Sequence, residues 1–260
     1  MKEAVLITGA SSGIGRELAK LFAKDSYDLI LVARSQDELE ALARELKSTY
    51  DIFVKVIAID LSESTSPKKI FQVTEAANLK VSVLINNAGF GTYGEFVTLP
   101  IDTELDEIQV NITSLTHLTG LFLPSMVKSK KGKVLNVSST GAFAPGPLMA
   151  SYFASKAYVL HFSEALSEEL RGSGVTVSVL CPGPSRTGFI KRAHVESVPF
   201  FQKRLMTSEK VARIAYQGLF LEKEIIIPGF INRLEVFLTR FMPRSFMRKA
   251  VKRGMGVGSK

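Results

Sequence analysis

Cysteine occurs once in this chain, at Cys181, and histidine three times, at His117, His161 and His194. A single thiol rules out an internal disulfide and any cysteine-rich metal site. It follows the Val-Leu end of an apolar run, so it reads as a small buried hydrophobe rather than a nucleophile. The histidines are scattered without the spacing of metal ligands, and no metal is expected. Long apolar runs are missing as well, since no stretch approaches the ~18 uninterrupted apolar residues of a spanning helix. An apolar strand begins almost at Met1, which leaves little room for a leader peptide ahead of it. A cytoplasmic location is therefore expected. There is no low-complexity tract and no self-similar repeat of about 20–50 residues.

Apolar residues make up 46% of the 260, ample for a core covered on both faces of a sheet. Runs rich in Val, Ile and Leu recur at 4–7, 28–33, 54–59, 81–85, 133–137 and 175–180, separated by helical patterns. A further short run, Glu224-Ile225-Ile226-Ile227, precedes Pro228-Gly229. This alternation predicts an α/β fold: a doubly wound, mostly parallel seven-stranded sheet with helices on both faces. Ligands of such sheets sit at the carboxyl ends of the strands. No Pro/Gly/Ser-rich linker breaks the chain before residue 230, so residues 1–229 are expected to form one domain and 230–260 a carboxy-terminal extension.

The first strand runs straight into Thr8-Gly9-Ala10-Ser11-Ser12-Gly13-Ile14-Gly15, and then into a helical pattern. Glycines there permit positive φ and let backbone N–H groups approach a diphosphate at a helix amino terminus. Strand, glycine turn and helix together are the context of a dinucleotide site in a Rossmann fold. After the second strand comes Arg34, with no acid at its end. An acid at that place hydrogen-bonds the ribose 2′-OH of NAD, whereas an arginine suits the 2′-phosphate of NADP. NADP (NADPH) is the expected cofactor.

Tyr152 and Lys156 are four apart on a helical segment, and Ser139 ends an apolar strand thirteen residues upstream of Tyr152. Residues four apart lie on one helix face. An ammonium about 4 Å from the phenol would contribute roughly 4 kcal/mol at an effective dielectric near 20. That would bring Tyr152 down from its usual value of about 10 toward working pH, where acid–base catalysis is efficient.

With these segments in hand, the sequence resembles the short-chain dehydrogenase/reductase family over roughly residues 3–229. Thr8 through Gly15 match its glycine turn, and Asn86-Asn87-Ala88-Gly89 match its motif at the end of the fourth strand. The resemblance implies a catalytic tetrad of Asn111, Ser139, Tyr152 and Lys156. It implies cofactor contacts from Gly9, Ser11, Ser12, Gly13, Ile14, Gly15, Arg34, Asp60, Leu61, Asn87, Ala88 and Gly89. Further contacts are implied for Tyr152, Lys156, Pro182, Gly183 and Thr187. Lys156 would hold the nicotinamide ribose, and Asn111 a water that links Lys156 to solvent. The implied activity is interconversion of a ketone and a secondary alcohol.

Two segments are expected to wall the substrate pocket. Thr140–Ala150 offers Phe143, Pro145, Pro147, Leu148 and Met149, and 188–206 offers Phe189, Ile190, Val198, Phe200, Phe201 and Leu205. Ser139, Phe143, Met149 and Phe189 are the residues expected to touch substrate. Apolar walls suit a small lipophilic carbonyl or alcohol, 3-oxoacyl or hydroxysteroid-like. Lys191, Arg192 and Lys203 read as a solvated rim. An NADP-binding regulatory or membrane-associated scaffold is the alternative reading.

From residue 231 onward eight basic residues face one acid, Glu235, a balance of +7 beside +8 for the whole chain. Leu234, Phe237, Leu238 and Phe241 recur at helical spacing, so 231–241 reads as an amphipathic helix that Pro243 ends. Its stripe is expected to pack on the chain's own sheet or on a second subunit. For 244–260, packing at home and contact with an anionic membrane both remain open. If 231–241 bury their stripe at home while 244–260 carry free positive charge, cutting after Pro243 would leave a folded enzyme, and cutting before Phe230 would not. The segment also replaces the Gly-rich, acid-containing turn of tetrameric family members, which favours a homodimer through the helices around 111–126 and 152–171. No nucleic acid is expected, because no reading motif accompanies the charge.

Overall fold

The computed structural model describes residues 3–202 and 205–256; Lys203 and Lys260 lie outside them. Six long strands carry the sheet: β1 (Glu3–Thr8), β2 (Asp28–Ala33), β3 (Val54–Ala58), β4 (Lys80–Asn86), β5 (Gly132–Val137) and β6 (Val175–Leu180). Two short segments, β7 (Ser185–Arg186) and β8 (Met206–Thr207), pair only with each other, and β9 (Ile225–Ile226) joins the main sheet. The sheet order is β3-β2-β1-β4-β5-β6-β9 and every pairing is parallel. The expected seven strands are present.

Helices fill the crossovers: α1 (Gly13–Lys24), α2 (Gln36–Thr49), α3 (Ser66–Ala76), α4 (Ile101–Ile108) and α5 (Leu115–Lys128). They continue as α6 (Ala150–Glu169), α7 (Gly188–Arg192), α8 (Ser208–Phe220), α9 (Phe230–Thr239) and α10 (Arg244–Gly254). Strand alternation divides the core in two. On β1, Val5 and Ile7 face one side, where they pack with Leu18 and Phe22 of α1, Leu39 and Leu46 of α2 and Leu219 of α8. Ala4 and Leu6 face the other, with Ile70 of α3 and Leu118 and Phe122 of α5. Both faces of the central strand are buried, which is why it reads as an unbroken apolar run.

The carboxy-terminal segment departs from expectation. α9 buries only Val236. Phe230, Leu234, Phe237 and Phe241 are 72, 45, 52 and 71% exposed. The stripe therefore does not pack on this chain's own sheet. What ties α9 down is its polar side, where the Asn232 amide donates to Pro228 O at 2.7 Å and sits against Gly183. α10 behaves in the opposite way. Met247 is buried, and Met255 and Val251 join an apolar cluster with Met149, Phe153, Val195, Val198 and Phe201. Tyr93 Oη donates to Met255 O at 2.6 Å and fixes the end of the segment.

Candidate active site

The carboxyl ends of β1 and β4 are bolted together by two side chains. Thr8 Oγ1 accepts from the backbone N–H groups of Asn87 and Ala88, both at 3.0 Å. Asn87 Nδ2 donates to Thr8 O at 2.9 Å and Gly9 O at 3.2 Å. This fixes the glycine turn in place. Gly9 and Gly13 have φ of +66° and +57°, the left-handed region that glycine adopts without strain. A Cβ on Gly15 would stand 2.4 Å from Gly9 O and 2.5 Å from Asn87 Nδ2. Gly15 is therefore the close-packing glycine under the turn, and it does not line the cavity above it.

That cavity, about 630 Å³, runs along the carboxyl ends of the strands. Gly9, Ser11, Ser12, Gly13, Ile14, Arg34, Asp60, Leu61, Asn87, Ala88, Gly89, Pro182, Gly183 and Thr187 line it, together with Ser139, Tyr152, Lys156 and Phe189. All but Gly15 of the expected cofactor residues thus reach one space.

Ser139, Tyr152 and Lys156 gather along it, whereas the fourth expected member, Asn111, does not line the space but stands beside Gly89, which does. Asn111 lies in a π-helical stretch, Gln109–Ser114, between α4 and α5; such bulges often re-aim a functional side chain. Its Nδ2 donates to Phe90 O at 2.8 Å and Ser155 Oγ at 3.1 Å, and its Oδ1 accepts from Phe90 N at 3.1 Å. Asn111 thereby joins the segment after β4 to α6. Lys156, only 4% exposed, donates from Nζ to Val137 O at 2.9 Å. A Cβ on Gly89 would meet both Asn111 Oδ1, at 2.9 Å, and Lys156 Nζ, at 3.1 Å, so the two polar ends converge where only glycine fits. Ser139 Oγ accepts from Gly141 N at 3.0 Å, which orients its hydroxyl toward Tyr152.

Electrostatics correct one expectation. Lys156 Nζ stands 5.7 Å from the Tyr152 ring centre, and the phenol is pushed up to about 12 rather than down. Burial is the largest cause; a hydrogen bond from Ser139 opposes it and the Glu107 charge reinforces it. Lys156 is pulled down to about 8, again chiefly by burial, with Glu107 opposing. A phenolate has too little solvation here, so Tyr152 stays a neutral donor. Of this pair, the group whose value lies nearer neutrality is the lysine.

Glu107 was not anticipated. It and Glu104 are 0 and 2% exposed and share Thr92, whose N–H donates to Glu107 Oε2 at 3.0 Å and whose hydroxyl bonds Glu104. Ser151 at the start of α6 also donates to Glu104. Burial, then the Glu104 charge, raises Glu107 to about 7, while Thr92 and Lys156 hold it down. The signal was present: Glu104, Glu107 and Asn111 follow at i, i+3 and i+7 on one helical face. Because the folded-state value lies above the ordinary 4.5, this group's contribution to stability falls as pH rises from about 4.5 to about 7. Glu107→Gln removes that loss. Its melting temperature relative to the parent should therefore rise between about pH 5 and pH 7.5; a flat or shrinking difference in thermal melts would deny the raised value.

The substrate walls also need correction. Phe143 packs with Leu115, Leu160 and Cys181, away from the cavity. Met149 is 1% exposed within the cluster behind the wall, where its Cε presses on Gly91. Pro145, Pro147, Leu148, Val198 and Leu205 do not line the space either. Phe90, Phe153, Phe189, Ile190, Phe200 and Phe201 do. The loop 140–150 turns its large side chains inward because Phe153 occupies the space beside Gly141 and Gly146. Arg192 of α7, read as rim, also lines the cavity, as does Glu38. Burial and then the Arg34 charge lower its pKa, so two guanidinium groups share one end of the cavity.

A family model described as short chain dehydrogenase matches residues 3–196. The chain is 34% identical over 229 residues to hydroxysteroid dehydrogenase-like protein 1 of Gallus gallus, covering 86% of this chain and 67% of that protein. It is 36% identical over 184 residues to the very-long-chain 3-oxoacyl-CoA reductase of Homo sapiens, covering 69% of this chain. That match spans only 58% of the human reductase's length. Among solved structures, a short-chain dehydrogenase from Sphingobium yanoikuyae in complex with NADPH aligns with a TM-score of 0.83 and 30% identity. The alignment covers 99% of this chain and 98% of that one. A bulky-bulky ketone specific alcohol dehydrogenase from Comamonas testosteroni aligns at 0.78 and 28% identity, covering 95% of each chain.

Proposed function

The chain belongs to the short-chain dehydrogenase family, and on that premise we propose that it is an NADP-dependent oxidoreductase interconverting a lipophilic ketone and its secondary alcohol. One observation carries the reading. Ser139, Tyr152 and Lys156 meet in a single cavity that has a glycine turn at one end and phenylalanines at the other.

The residues fit a dinucleotide. Gly9 and Gly13 hold left-handed φ beside the amino terminus of α1, where exposed N–H groups and the helix dipole favour a diphosphate. NADPH, when bound, supplies the hydride that adds to the carbonyl carbon. The neutral Tyr152 phenol gives its proton to the oxygen that becomes the alcohol. Ser139 directs a hydrogen bond at the same oxygen, where negative charge develops. Lys156, with its value near 8, restores the tyrosine proton. Asn111 is a positioning residue, because its amide is spent on Phe90 and Ser155.

Arg34 is the reason for naming the phosphorylated cofactor. Its guanidinium lies 3.7 Å from the Asp60 carboxylate, and Arg192, which also lines the cavity, is close enough to feel its charge. Two cations there suit a 2′-phosphate better than a bare hydroxyl. Arg34→Asp should move the NADPH/NADH preference toward NADH by about tenfold or more, measured as the ratio of kcat/KM values. An unchanged ratio would make Arg34 a surface residue.

The substrate class follows from the walls. A ring of Phe90, Phe153, Phe189, Phe200 and Phe201 is wide and apolar, and suits a long-chain or polycyclic ketone. A homodimer through α5 and α6 is part of the proposal. Tyr158 of α6 is partly exposed, stacks on Phe162 and hydrogen-bonds Thr116 of α5 at 3.1 Å, which makes a flat shared face. A panel of 3-oxoacyl thioesters, ketosteroids and small ketones, assayed with NADPH and NADH separately, tests the reading. Turnover confined to small hydrophilic ketones would reject the lipophilic class.

A further inference from the structure

Eight large apolar side chains project into solvent from α9, the turn that follows it and the first turn of α10. Phe230, Ile231, Leu234, Phe237 and Leu238 are 72, 43, 45, 52 and 40% exposed, and Phe241, Met242 and Phe246 are 71, 37 and 55% exposed. A water-soluble surface seldom gathers so many in so few residues, and such patches mark contact sites. Basic residues are threaded among them. Arg233, Arg240, Arg244, Arg248, Lys249, Lys252 and Arg253 are all exposed, with Glu235 as the only acid between 230 and 254. Among the described residues none of the seven forms an ion pair.

We propose that this α9–α10 surface docks on an anionic lipid membrane. Aromatic and leucine side chains on one helix face, with arginine and lysine beside them, are what an interfacial helix needs. Phosphate headgroups supply the counter-charges and the acyl boundary takes the phenylalanines. A second copy of the chain fits worse, because a two-fold contact would set seven cations against seven more. The segment adjoins the apolar wall of the cavity. α10 ends with Met255 packed beside Phe201, and Gly256 faces Pro199. A docked molecule would therefore present the Pro199–Phe201 wall to the lipid side, where an apolar ketone concentrates. That last consequence rests on the lipophilic reading of the site; the docking itself does not.

The test uses the full chain and vesicles of phosphatidylcholine with or without phosphatidylglycerol, at low and high salt. The parent protein should co-sediment with the anionic vesicles at low salt and be released at high salt. Each basic residue near such a surface contributes roughly fivefold in affinity, so Arg240→Glu with Arg248→Glu should weaken binding about 25-fold or more. Phe237→Ser with Phe241→Ser should also weaken it, and should leave weak binding that salt still removes. Unchanged melting temperature and NADPH affinity in both variants would show that only docking was altered. Three outcomes overturn the proposal: no binding to anionic vesicles at low salt, binding indifferent to lipid charge, or binding that survives both variants. If vesicles are ignored while Phe237→Ser with Phe241→Ser dissociates an oligomer in light scattering, the face is a subunit contact instead.

Discussion

Tyr152→Phe is expected to lower turnover by about 10²–10⁴-fold, with NADPH affinity close to that of the parent. The substitution removes one oxygen and leaves the ring, which packs edge-on against Phe153 and, tilted, against Phe189. What disappears is the phenol hydroxyl that hydrogen-bonds Ser139. Burial pushes that phenol up to about 12, so in the parent enzyme it is protonated whenever the ketone arrives. Because the lost group acts on the reacting oxygen, the fall should appear in kcat more than in KM. A variant that keeps its turnover would take Tyr152 out of the reaction.

Cutting the chain after Pro243 should cost nearly as much, through stability rather than chemistry. Met247 and Met255 are 8 and 0% exposed, and each fully buried side chain of this size contributes about 1.5–3 kcal/mol. Together with Val251 and the Tyr93 hydrogen bond, they are a large part of a typical total of about 5–15 kcal/mol. The melting temperature should drop by roughly 10 °C or more, and activity on bulky ketones should fall as the wall behind Phe201 loosens. The sequence leaves this segment open between packing at home and meeting a membrane; its buried side chains decide for packing on that side. A truncated protein with parental melting temperature and substrate range would show that α10 only decorates the surface.

The contrast between the two helices has a physical reason. Residues 230–241 carry a clear apolar stripe, whereas 244–256 are dominated by charge. Hydropathy therefore assigns burial to the first and solvent to the second. Tertiary contacts decide otherwise, because Val251 of α10 and Met255 just after it join the apolar cluster beside the cavity while α9 hangs by Asn232 and Val236. Elements governed by local pattern were legible. The six long strands fall within a residue or two of the apolar runs, and Thr8 to Gly15 form the turn their glycines require. The convergence of Ser139, just after a strand end, with Tyr152 and Lys156 of one helix was legible too, and the three share the cavity, while Asn111 lies in a π-helical stretch outside its lining. The substrate wall was not. Phe143 and Met149 have the right composition and the right loop, but the space beside Gly141 and Gly146 is taken by Phe153. The direction of the Tyr152 shift was also hidden. Spacing puts an ammonium near a phenol, but only three dimensions reveal how little solvent either group keeps.

The most direct test of the account is isotopic. The enzyme is given a ketone that it turns over, with NADPH deuterated at the hydride-donating position, and the alcohol is analysed by mass spectrometry and NMR. Direct transfer predicts one deuterium on the carbinol carbon, with the hydroxyl proton drawn from solvent by way of Tyr152. Alcohol carrying no deuterium at that carbon, or no alcohol formed from any ketone with either cofactor, would contradict it.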